Sequence, residues 1–129
     1  MAGGLAGGLV FGLMMQAWGM IPMVAALVGS SSPAVGWVVH LLISAVSGLA
    51  FAVLLGPVLK GVVLATLLGL GYGAVLWVVG PLLLMPARMG MPVFVVNDMA
   101  VNSLIGHLVF GLLLGAIVGA MLRHRTARP

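Results

Sequence analysis

Across residues 1–97 the chain carries only two charged side chains, Lys60 and Arg88. Everything else there is apolar, small or neutral. No water-facing surface can be built from so few charges, so the solvent for such a chain is lipid. Of 129 residues, 64% are hydrophobic and 5% charged, where a soluble domain carries about 25% charged residues. The length predicts a single membrane domain, residues 1–129.

The formal charge of +4 comes from Lys60, Arg88, Arg123, Arg125 and Arg128 against the one acid, Asp98. No basic patch is interleaved with aromatic residues, so nucleic acid is not an expected partner. With no cysteine, disulfides, thiolate metal sites and cysteine nucleophiles are excluded. The N-terminal apolar run has no basic leader and outruns the roughly 7–15 residues of a signal-peptide core, so it reads as a retained first helix.

The fold class expected is all-α membrane: a four-transmembrane-helix bundle, with helices at about 3–28, 34–55, 61–85 and 98–122 and a polar tail at 123–129. Pro22 is expected to kink or end the first helix. Ser30, Ser31, Ser32 and Pro33 read as a turn with a serine cap. Gly56-Pro57 ends the second helix, and Pro81 and Pro86 bracket the end of the third. A loop over 87–96 follows, and Asn97 or Asp98 caps the fourth helix, with Asp98 paired to Arg88. Four spans put both termini on one side with Lys60 and the tail arginines. The positive-inside rule makes that side the cytoplasm.

Two halves repeat. Aligning His40 with His107 pairs Leu41 with Leu108, Gly48 with Gly115, and small Ser44 and Ala52 with Gly111 and Gly119. Pro22 aligns with Pro86. Each half holds two spans, so both enter the membrane in the same sense, as parallel repeats about an axis along the membrane normal. His40 and His107 then lie at similar depths. Every helix carries a row of mostly small residues four apart: Gly4, Gly8, Gly12, Gln16; Gly36, His40, Ser44, Gly48, Ala52, Gly56; Gly61, Ala65, Gly69, Gly73; and Ser103, His107, Gly111, Gly115, Gly119. In lipid such rows let backbones approach, within the bundle or between copies.

The segment Pro33-Ala34-Val35-Gly36-Trp37-Val38-Val39-His40, followed by Gly48 and Ala50-Phe51-Ala52-Val53-Leu54-Leu55, resembles a family of small prokaryotic integral membrane proteins known only as a domain of unknown function. His107 with Gly111 and Gly115 is similar to that family's last helix. The resemblance implies four helices in a bacterial or archaeal cytoplasmic membrane and supplies no activity.

Intramembrane ionisable residues are functional candidates by default. His40 and His107 have three readings. They hydrogen-bond across helices to Ser44, Asn102, Ser103 or backbone. They ligate a b-type haem, with Gly48, Gly111 or Gly115 leaving room for the ring. Or they bind metal or relay protons. The first is the plainest, so no cofactor is predicted outright and haem b is the one to test. Asp98, Asn102 and His107 are spaced to suggest a polar path, with Ser103 a further polar candidate beside it, against the simpler reading of Asp98 as a cap paired with Arg88. Gln16 reads as interhelical glue. Six methionines, Met20, Met23, Met85, Met89, Met91 and Met99, gather toward the outer side. Thioethers favour Cu(I), but methionine is also an adaptable gap-filler, and no metal site is assigned.

No phosphate-binding loop, nucleophile elbow or dinucleotide fingerprint occurs, and no acid is placed to complete a serine–histidine triad. The chain therefore reads as a non-enzymatic inner-membrane protein: a scaffold or accessory subunit, homo-oligomeric or bound to another membrane protein. The alternatives are a membrane cytochrome using His40 and His107, or a small oligomeric transporter or channel.

Overall fold

The structure is a computed structural model. It describes residues 2–126, with side chains from residue 3 to residue 122. Six helices follow one another: α1 Ala2–Ala17, α2 Ile21–Ala25, α3 Pro33–Leu55, α4 Val62–Val79, α5 Met85–Arg88 and α6 Asp98–Thr126. Three stretches are long and apolar enough to cross a membrane: Pro33–Val58, Val62–Arg88 and Asp98–Leu122. A fourth is added if the bent pair Gly3–Ala17 and Ile21–Val28 makes one span.

That bend is the main departure from the expected helix at 3–28. The chain turns by 113° between the two pieces, and Gly19 makes the turn, not Pro22. Gly19 sits at φ 71, a left-handed conformation that costs a glycine little. Its N–H donates to Gln16 O (3.1 Å), and the Met20 N–H donates to Met15 O (2.8 Å). This is the Schellman pattern that closes a helix C-terminus. Pro22 then opens α2, where its missing N–H costs nothing. The same motif closes the 3-10 turn Ala26–Val28 at Gly29 and closes α5 at Gly90.

The third span also differs. Pro81 does not end it. Lacking an N–H, Pro81 cannot make the ordinary helical bond, and the backbone widens into a π-turn over Gly80–Leu84, with Met85 N–H reaching back to Gly80 O. The helix then runs on to Arg88. Residues 89–97 fold back over this turn: Phe94 adopts φ 58 and its N–H donates to Leu82 O (2.7 Å).

Caps fall where polar residues flank the apolar runs. Ser32 Oγ accepts from Val35 N–H (3.4 Å), with Pro33 at the first turn. Asn97 Oδ1 accepts from Ala100 N–H (2.9 Å), so Asn97 is the cap. Asp98 occupies the first turn of α6, where its charge suits the helix dipole. Arg88 donates to Leu27 O (3.3 Å), and among the described residues no hydrogen bond joins it to Asp98. The last helix extends to Thr126, so most of the expected polar tail is helical.

Small residues dictate how the helices pack. Gly4 lies against the backbone of Ser44 and Gly48, and Gly8 against Ser44, bringing α1 antiparallel to α3. Gly69 lies against Gly111 and Gly115, and Gly73 against His107 and Gly111, doing the same for α4 and α6. A Cβ at most of these positions would collide with facing backbone. α1 has a second buried face: Gly3 meets Leu114, Gly7 meets Phe110, and Gly106 of α6 takes the Phe11 ring. The helices are therefore ordered α3, α1, α6, α4. α3 and α4 meet chiefly at Tyr72, which packs on Phe51 with ring centroids 5.2 Å apart and donates through Oη to Ser47 O (2.7 Å).

Candidate functional site

The open seam between α3 and α4 leads into a cavity of about 550 Å³. α1 and α6 form its back wall through Phe11, Ser103, His107 and Phe110. Ile43, Ser44 and Ser47 line one flank; Leu76, Val79 and the π-turn residues Gly80 and Pro81 line the other. The 113° bend swings α2 onto the start of α3, where Gly36 packs on the Ile21 carbonyl. That puts Met20, Met23 and Val24 in the wall as well. Met89, Met91 and Pro92 of the folded-back loop form the mouth.

Both predicted histidines reach this cavity. Each packs edge-on against the Phe11 ring, with centroids 5.4 Å (His40) and 4.7 Å (His107) away. Their anchoring differs. His40 Nε2 lies 2.7 Å from Gly8 O; a carbonyl only accepts, so Nε2 carries the hydrogen. The bond crosses from α3 to α1. His107 Nδ1 lies 2.8 Å from Ser103 O, one turn back on its own helix, so Nδ1 carries the hydrogen there. A neutral His107 then presents Nε2 as a lone pair. Among the described residues Nε2 has no hydrogen-bond partner, yet no side-chain nitrogen or oxygen is both sealed and unpaired. Nε2 therefore opens on the cavity. A haem iron bound by His40 Nε2 would have to take that nitrogen from the Gly8 carbonyl.

The other candidates separate. Ser103 is buried and lines the cavity. Asn102 and Asp98 do not line it, so no path of Asp98, Asn102 and His107 forms. Gln16 Oε1 accepts from Trp37 Nε1 (2.7 Å), joining α1 to α3 near the membrane face. Gly48, Gly111, Gly115 and Gly119 are all spent on contacts within the chain. Phe11, the partner of both imidazoles, carries no polar group that marks it in the sequence. Its signal is a lone aromatic set between Gly8 and Gly12. Among the described residues no three His, Cys, Asp or Glu side chains come together, and no charged residue lines the cavity.

No family model matches the chain, and no curated protein or solved structure matches it.

Proposed function

We propose that the chain is a small non-enzymatic protein of a prokaryotic cytoplasmic membrane, an accessory subunit that holds a small guest in an outward-facing cavity. The single observation that carries this is the cavity itself. Its walls are apolar, a few polar groups converge on it, and its size lies within the roughly 300–1,000 Å³ of ligand sites. The π-turn in its wall is a further pointer, since such turns recur at functional sites.

Four spans in two parallel repeats, with both termini cytoplasmic, remain part of the proposal. The contacts align the first helices of the two halves one residue away from the proline alignment: Gly4 meets Gly48 as Gly69 meets Gly115, and Gly8 meets His40 as Gly73 meets His107. The positive-inside distribution of Lys60 and the C-terminal arginines against Arg88 supports the orientation. The glycine rows are already occupied within the chain, so a second copy or another membrane protein would dock on the leucine- and valine-rich outer faces.

The absence of cysteine makes the test direct. Single-cysteine proteins are expressed in cells and treated with a membrane-impermeant maleimide from outside. Met91→Cys should label fast, Ser103→Cys slowly, and Lys60→Cys only after lysis. Adding Met99→Trp to Ser103→Cys should slow labelling further. An inert Ser103→Cys beside a reactive Met91→Cys would remove the cavity reading; outside labelling of Lys60→Cys would remove the orientation.

A further inference from the structure

We infer, building on that cavity reading, that the guest is a soft monovalent metal ion, Cu(I), bound by methionine thioethers together with Nε2 of His107. Seven of the chain's ten methionines line this one cavity. Met15, Met20 and Met23 come from the first half; Met85, Met89, Met91 and Met99 come from the second. If methionine served only to fill gaps or to face lipid, it would be scattered as leucine and valine are. Those residues dominate the exposed surface, at Leu42, Val46, Leu54 and Val63 among others. The methionines instead grade from an exposed mouth, with Met91 at 57% exposure, to a buried interior, with Met15 at 5%. That is an entry path lined with one donor type.

His107 supplies the second donor in a prepared form. Its Nδ1–H is fixed by the Ser103 carbonyl, the outer-shell bond that sets the tautomer of a metal-binding imidazole, orients the ring and raises its basicity. On α6, Met99, Ser103 and His107 fall four residues apart, so they share one ridge. In α1, Phe11 packs on His107 and Met15 lies one turn further toward the mouth. The donor set selects the ion. Thioethers favour Cu(I), whereas hard cations need carboxylate or carbonyl oxygens. No carboxylate lines the cavity, so a divalent charge would sit there uncompensated in a medium of low dielectric constant. A single positive charge is the smaller burden, and soft ligation offsets it.

The test uses the whole protein in lipid nanodiscs, titrated without oxygen against Cu(I) held by a chromogenic chelator. One ion per chain should leave the chelator, and X-ray absorption at the copper edge should report sulfur neighbours. Changing all seven methionines to leucine conserves volume closely. It should weaken binding by at least about tenfold, the lower bound set by losses of outer-shell partners alone. His107→Leu should do likewise. Zn(II) should not compete. Unchanged affinity in the leucine protein, effective competition by Zn(II), or a copper spectrum without sulfur would overturn the assignment. The spectrum needs no variant, so it decides even if the leucine protein does not fold. If Ser103→Cys labels from outside but the wild-type chain withdraws no Cu(I), the metal assignment falls and the cavity reading stands. If Ser103→Cys is inert, the cavity reading falls on its own.

Discussion

Two seams run along this molecule, and they are built differently. Between α1 and α6, glycines admit aromatic rings: Gly7 faces Phe110 and Gly106 receives Phe11. The seam is shut. Between α3 and α4 no glycine receives a ring; Tyr72 instead packs on Phe51, centroids 5.2 Å apart, and donates to the Ser47 carbonyl. With the halves aligned by their contacts, Gly4 with Gly69 and Gly8 with Gly73, Tyr72 stands where the other half has Gly7. A large residue there separates two helices, and the cavity begins one turn on, at Ser47 and Leu76. In lipid, where helices associate by close contact and not by exclusion from water, omitting a small residue is enough to make a site.

The difference can be broken from the shut side first. Gly106→Leu would drive a side chain into the Phe11 ring, and we expect about 3 kcal/mol of destabilisation, the upper end for overpacking. Unfolding in mixed micelles should report it. Ser47→Leu, which points its added bulk into the open cavity, should cost under about 1 kcal/mol by the same measure. Comparable losses at both positions would mean that the seams are packed alike.

The next effects concern what closes the cavity. Gly19→Ala meets no neighbour but forces a β-carbon into a left-handed backbone, at a cost of about 1 kcal/mol or more. Tyr72→Phe should cost about 0.6–1.7 kcal/mol, the range for interhelical bonds in membranes, and speed labelling of Ser103→Cys. His40→Leu removes a bond between helices, while His107→Leu removes one within a helix. The first should destabilise the fold more, by roughly 0.6 kcal/mol. Smallest of all is Trp37→Phe, which loses an exposed bond to Gln16; we expect about 0.5 kcal/mol or less.

The residues reveal some of this unaided. Apolar runs mark the spans because lipid demands it, and Ser32 and Asn97 mark starts because only polar side chains cap. That His40 and His107 both reach the helix-packing core is readable from their place in rows of small residues. What escapes is whatever glycine does ambiguously. Gly19 lies in a run where glycine is also tolerated inside a membrane helix, so the break is assigned to Pro22, three residues late. A glycine followed closely by proline was the available signal. The doublets Gly3-Gly4 and Gly7-Gly8 hold another. Adjacent small residues lie about 100° apart on a helix, so α1 has two close-packed faces and belongs in the centre. The cavity itself is not legible, because an unfilled volume depends on how far apart two distant segments stand.

The early stop of α1 has one more outcome. Its 16 residues rise about 24 Å, while the hydrocarbon layer is about 30 Å thick. Leu5, Leu9 and Leu13 are exposed along it, so in the proposed four-span arrangement the acyl chains beside this flank shorten to match. Such mismatch costs fractions of a kcal/mol per ångström. That is small for one molecule, yet enough to draw a population of them toward the thinner patches of an uneven bilayer.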